Sequence, residues 1–122
     1  MDCIFCNLEE VKIVLENEGA SAIFDGFPVN EGHMLIIPKR HIETYFEAAE
    51  SEKKLLWDLV EECKEYLDER YSPDGYNIGI NNGIAAGQSI MHLHIHLIPR
   101  YIGDIGNPKG GVRGVIPSKR IY

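Results

Sequence analysis

The stretch "IMHLHIHLIPR", Ile90 to Arg100, constrains the fold more than any other part of the chain. Histidine and an apolar residue alternate through it, and in a β-strand alternate residues point to the same face. The spacing predicts a strand that carries His92, His94 and His96 on one face, with neighbours about 6–7 Å apart. Leu93, Ile95 and Leu97 then share the opposite face and need an apolar cover. A lone histidine in a strand usually packs or hydrogen-bonds. Three in strict alternation, out of five in the chain, point to chemistry.

The cover is legible further upstream. From Ser51, which reads as an N-cap, to Tyr71 the period becomes helical, and Leu56, Leu59, Val60, Cys63, Tyr66 and Leu67 fall on one face. "SPDG" ends that helix. "VKIVLENEG" and "ASAIFDG" read as two short strands joined by a Glu-Gly turn, and "HMLIIP" as a strand closed by proline. Residues 42–49 read as a short helical piece, "YNIGI" as a strand and "NNGIAAGQS" as a glycine-rich loop. The pattern is α+β: an antiparallel sheet covered by one long helix. Residues 1–100 form the domain. Residues 101–122 form a Gly- and Pro-rich tail packed on it, with one strand candidate at "GVRGVI".

At 122 residues the chain supports one core. A net charge of −7 argues against nucleic acid as a partner. The N-terminus lacks a cationic region before an apolar stretch, and no apolar run approaches ~18 residues, so neither export nor a membrane is expected. An odd count of three cysteines, two of them spaced as CxxC, fits a cytoplasmic location. The charge is unevenly placed. From Pro99 onward there are five basic residues (Arg100, Lys109, Arg113, Lys119, Arg120) and one acid, Asp104, whereas the body carries eighteen acids against seven bases. Such a tail either attracts an anion or is simply a solvated surface.

Two chemistries suit the histidine row. Neutral imidazole is a common zinc or copper ligand. Histidine is also a nucleophile toward phosphorus near neutral pH, and a flanking histidine can protonate the leaving group. The loop before the row favours the second. Its glycine N–H groups, including that of Gly87, the Gln88 amide and the Ser89 hydroxyl can donate to phosphoryl oxygens.

"GQSIMHLHIHLIPR" resembles the signature of the histidine triad superfamily. "FDGFPVNEGHMLIIPKRH" is similar to a second block of that family, with an acid eight residues before a histidine and an apolar strand ending in Pro-Lys-x-His. The resemblance runs from Cys3 to about Arg100. It implies a homodimer with sheets joined across the protomers, a purine nucleotide substrate and no organic cofactor. It also implies that His94 attacks the α-phosphorus of a nucleoside 5′-phosphate conjugate to form a nucleotidyl-histidine that water hydrolyses. His96 would contact the phosphate and help the leaving group, and Ser89 and Gln88 would hydrogen-bond it. Asp25 would hold the ribose hydroxyls, as its two acceptor oxygens suit, and Asn81 the phosphate or ribose side. Ile4, Phe5, Leu8 and Ile23 would sandwich the purine. His33 corresponds to a further histidine, expected to support the row structurally.

Cys3 and Cys6 have the spacing of half a zinc site. A redox CxxC follows a strand, for which there is no room before Cys3; two free buried thiols are the plain alternative. Family members with an N-terminal CxxC imply a closed site of Cys3, Cys6, His41 and His92 around one structural Zn²⁺ per chain. Cys63, on the apolar helix face, reads as a small buried residue. Three functions follow as expectations: a phosphoramidase or dinucleoside polyphosphate hydrolase, a zinc-stabilised nucleotide-binding or scaffold protein with little turnover, and a tri-histidine metalloprotein. Nucleotidyl transfer is disfavoured by His96, because the resemblance places glutamine there in the transferase branch.

Overall fold

A computed structural model describes residues 2–122. Five strands form one antiparallel sheet in the order β1-β2-β3-β5-β4: β1 Leu15–Glu16, β2 Ala20–Phe24, β3 Met34–Pro38, β4 Gly75–Ile80 and β5 Ile95–Arg100. A single α-helix, α1 (Glu50–Tyr71), crosses one face. The alternation read from the sequence decides what each face meets. Ala20, Ala22, Met34, Ile36, Leu93, Ile95 and Leu97 pack with Leu56, Leu59, Val60, Cys63 and Leu67 of the helix into the main core. Each Leu or Ile buried there contributes about 1.5–3 kcal/mol. The other face carries a smaller cluster of Phe5, Ile23, Leu35 and Ile37, and this is the face that holds the site.

The register places the histidines on that second face. Ile23 lies opposite Leu35 and Leu35 opposite His96, so three strands present one row directly across the sheet. Several boundaries differ from the sequence reading. The strand predicted from Ile90 begins at Ile95, because its pairing with both neighbours ends at Ile36↔Ile95 and Ile80↔Ile95. His92 and His94 lie in the irregular lead-in, where Leu93 N–H donates to the carbonyl of Ile42 at 2.7 Å. The first strand shrinks to two residues, preceded by a 3₁₀ turn at Glu10–Lys12. Its hairpin is organised by Asn17, whose Oδ1 accepts both the Gly19 and Ala20 N–H groups.

The helix starts one residue before Ser51. Its N-cap is Ala49, whose N–H donates to Glu52 Oε1 at 2.8 Å, the backbone half of a capping box. The short helical piece is a 3₁₀ turn at Tyr45–Glu47. "GVRGVI" is a 3₁₀ turn at Gly111–Val115 rather than a strand, since the neighbouring glycines Gly110 and Gly111 have φ of 92° and 46°. The tail closes on itself: Arg120 donates to the carbonyls of Asn107 and Lys109, and Lys109 and Arg113 lie over the Tyr122 ring. Arg100 holds Asp104 in a bidentate pair and donates to Asn77 Oδ1. Three of the five basic residues are thus engaged internally or stacked, and Arg100 has a carboxylate of its own. No helix is long and apolar enough to cross a membrane among the described residues.

Candidate active site and metal centre

Two clusters of histidines share the open face of the sheet, on either side of His94. The first joins the N-terminal turn to the lead-in of β5. Cys6 N–H donates to Cys3 O at 3.2 Å, a tight turn that sets both thiols toward one point. Cys3 Sγ lies 3.4 Å and Cys6 Sγ 3.5 Å from His92 Nδ1, Cys6 Sγ lies 3.2 Å from His41 Nδ1, and the two Nδ1 atoms are 3.1 Å apart. All four ligand atoms fall within 4.8 Å of one another. Tetrahedral bonds of ~2.0–2.1 Å to nitrogen and ~2.3 Å to sulfur place ligand atoms roughly 3.3–3.8 Å apart, close to what is seen. The buried His92 fits this use in a further way. Its Nε2–H donates to Pro38 O at 2.8 Å, so Nδ1 keeps a free lone pair facing the thiols. Burial holds the ring below its ordinary pKa and therefore neutral. These four residues could hold a metal ion.

His94 follows two residues later. Its Nδ1–H donates to the His92 carbonyl at 2.9 Å, which leaves Nε2 as the nitrogen with a lone pair. Among the described residues no buried polar side-chain atom lacks a partner, so the unpartnered Nε2 atoms of His94 and His96 both open to solvent. The two rings are 5.1 Å apart.

The second cluster lies beyond His96. His96 Nδ1 faces His33 Nε2 at 3.0 Å, and Asp25 Oδ2 lies 3.4 Å from that same Nε2. Burial, with His94 and His33 nearby, lowers the His96 pKa from its ordinary 6.5 to about 4. Burial also lowers that of His33, against the pull of Asp25. The loop that presents His33 turns at Gly32, whose φ of 92° and close approach to Pro99, Tyr71 and Leu67 favour glycine.

Between the clusters opens a cleft of about 660 Å³, lined by Ile4, Phe5, Leu8, Ile23, Leu35 and Asp25 among others. All four apolar residues expected around a purine line it, and so does Asp25. Phe5 connects it to the histidines: its ring meets that of His94 edge-on at 5.2 Å and that of His92 at 5.9 Å. Ser89 is exposed, Gly87 is exposed with φ of 94°, and Asn81 ends just past β4. Gln88 is placed differently from the expectation. It is buried, its Oε1 accepts Gly83 N–H, and its Nε2 donates to the carbonyls of Glu43 and Ile90. Its amide braces the loop from within and has no donor left for a phosphate. Burial pushes the Cys63 thiol up to about 12, as befits an inert core residue. Sequence reasoning missed Asn82, whose Oδ1 accepts Tyr45 N–H, and Val29, whose N–H donates to His33 Nδ1; neither carries a signal in composition or spacing.

A model of the HIT domain matches residues 8–103. A HIT-like protein of Methanocaldococcus jannaschii is 40% identical over 108 residues, covering 84% of this chain and 81% of its own. An adenylylsulfatase of Arabidopsis thaliana is 38% identical over 103 residues, 81% of this chain but 52% of that protein. An AP-4-A phosphorylase of Mycobacterium tuberculosis is 30% identical over 97 residues, 79% of this chain and 50% of its own. Among solved structures, a HIT family protein from Bacillus anthracis superposes with a TM-score of 0.79 at 34% identity, over 87% of this chain and 78% of its own. A zinc-bound histidine triad family protein from Mycobacterium smegmatis gives 0.77 at 31%, over 85% and 78%. The sheet, the helix and the histidine row agree with these matches, and the chain belongs to the HIT domain family.

Proposed function

We propose that the protein hydrolyses nucleoside 5′-phosphate conjugates, adenosine phosphoramidates or dinucleoside polyphosphates, through a nucleotidyl intermediate on His94, releasing AMP. The observation that carries this reading is the fixed tautomer of His94. With Nδ1–H held by the His92 carbonyl, Nε2 is a lone pair open to solvent beside the cleft. In the first step Nε2 bonds to the α-phosphorus and the bond from phosphorus to the leaving group breaks; the neutral His96 donates its Nε2–H as a hydrogen bond to the departing atom, which takes its proton from solvent water. The His94 ring then carries positive charge, and its Nδ1–H bond to the His92 carbonyl strengthens as that charge develops. In the second step water bonds to phosphorus and gives up its proton to solvent, the P–N bond breaks, and AMP leaves with His94 restored. Exposed Ser89, together with Asn81, serves the phosphate side, whereas the N–H groups of Ala86, Gly87 and Gln88, expected from the sequence to donate to phosphate, are engaged by the Gly83 and Ile84 carbonyls within the loop. Asp25 accepts from the ribose hydroxyls. Gln88 positions the loop rather than touching the substrate.

The metal in this reading is zinc, one per chain, and its part is structural: four protein ligands close its coordination. The ring of His92 serves the metal cluster while its backbone carbonyl orients the nucleophile, so one residue ties the two functions together. The match to an AP-4-A phosphorylase supports a second acceptor, in which inorganic phosphate replaces water and the product is ADP. The protein acts in this reading as a homodimer in the cytoplasm.

The test is nucleotide release from adenosine phosphoramidate, diadenosine triphosphate and diadenosine tetraphosphate, with and without inorganic phosphate, by wild type and His94→Ala. Wild type is expected to release AMP and the variant to lose at least ~10³-fold. Equal activity in the two would remove His94 as the nucleophile, and ADP formed in phosphate would move the assignment to phosphorolysis.

A further inference from the structure

We infer that His33 is a positioning residue that fixes the proton of His96 on Nε2, through a one-way relay from the backbone of Val29. The assignment rests on the proposed hydrolysis only for its consequence; the relay itself follows from who can donate to whom. Val29 N–H lies 3.0 Å from His33 Nδ1 and can only donate, so Nδ1 must be the unprotonated nitrogen. The neutral ring then carries its proton on Nε2. Asp25 Oδ2, 3.4 Å from that nitrogen, favours the same placement. His33 Nε2–H meets His96 Nδ1 at 3.0 Å, so His96 Nδ1 accepts. Neutral His96 is left with its proton on Nε2, the atom open to solvent beside His94.

The donor at the head of the relay is held in place by its own loop. Asp25 Oδ1 accepts Phe27 N–H at 2.9 Å on one side of Val29. On the other, Asn30 Nδ2 donates to Pro99 O at 3.0 Å and to Asp104 Oδ2 at 2.7 Å, which fastens the loop to the end of β5. His33 N–H returns to Asn30 O at 3.1 Å. Because the backbone amide cannot accept, the relay has one direction. The same logic excludes the second cluster as a metal site, although Asp25, His33 and His96 bring three ligand atoms within 4.8 Å. A metal there would need the His33 Nε2 lone pair, and the Val29 amide leaves that nitrogen protonated.

Long-range ¹H–¹⁵N spectra at neutral pH test this directly, since protonated and unprotonated ring nitrogens differ widely in shift. Wild type is expected to show His33 unprotonated at Nδ1 and His96 unprotonated at Nδ1 with its proton on Nε2. His33→Phe is expected to let His96 average between tautomers and to lower kcat for AMP release about 10–100-fold with little change in KM. His33→Gln, which keeps an N–H donor toward His96, is expected to restore most of both. A wild-type His96 protonated on Nδ1, or a His96 spectrum unchanged in His33→Phe, would overturn the relay. If either variant fails to fold, the wild-type spectrum still decides. A wild type that releases no AMP removes the hydrolase reading and leaves the relay to be judged by the nitrogen shifts alone.

Discussion

The Cys3–Cys6–His41–His92 cluster and the Asp25–His33–His96 cluster look alike as sets of ligand atoms: each gathers its donors within 4.8 Å, and each contains two imidazole nitrogens about 3 Å apart. They differ at the far nitrogen of the ring that anchors each. His92 gives its Nε2–H to the Pro38 carbonyl, which frees Nδ1 as a lone pair pointed at two thiols. His33 receives the Val29 N–H on Nδ1, which obliges Nε2 to carry a proton and to donate. A carbonyl behind one ring leaves a lone pair that could take a metal, and an amide behind the other leaves a proton to donate. Proximity of histidines therefore does not define the chemistry. The backbone group on the opposite edge of the ring does.

This contrast is open to attack from several directions. The largest effect is expected at the first cluster. Cys3→Ser with Cys6→Ser should lower the melting temperature by the equivalent of about 4 kcal/mol when free metal exceeds its Kd a thousandfold. A chelator should bring wild type to the same level and leave the variant unmoved. Equal melting of all four samples would mean that the cluster adds no metal-linked stability. A smaller effect is expected at Gln88, which braces the loop before His92. Gln88→Glu places a carboxylate against the Glu43 and Ile90 carbonyls, removes two donated bonds, and should cost about 1–3 kcal/mol in denaturant unfolding. If Gln88 instead served the phosphate, the variant would unfold like wild type and lose turnover.

The smallest signal, and the one most specific to the second cluster, is the titration of His96. Its folded pKa is about 4 against the ordinary 6.5. Protonation thus favours the unfolded chain between those values. The ring's contribution to stability is complete above about pH 6.5 and is lost as pH falls from there to about 4. Its ¹H resonances should stay in place from pH 8 to about 5 and move only near 4. Movement centred near 6.5 would show that the ring is solvated and not held as described.

The parts of this that the sequence disclosed are those that depend on side-chain type and period. Alternation sorted Leu93, Ile95 and Leu97 from the histidines, and the helical period found Leu56, Leu59, Val60, Cys63 and Leu67, because burial acts on each side chain directly. The CxxC spacing and the family resemblance together brought Cys3, Cys6, His41 and His92 to one point. Features that depend on backbone partners stayed hidden. The start of β5 at Ile95 is set by where β3 and β4 stop pairing, and the inward turn of Gln88 by the carbonyls of Glu43 and Ile90. The role of His33 rests on an amide that every non-proline residue possesses, so no residue pattern announces it.

The division between the two clusters is tested most directly by counting metal ions per chain in protein loaded with excess zinc and freed of unbound ion, for wild type, Cys3→Ser with Cys6→Ser, and His33→Phe. One ion in wild type, none in the double cysteine variant and one still in His33→Phe is the result expected if the first cluster binds metal and the second carries a proton. Two ions in wild type, with one lost in His33→Phe, would contradict that division.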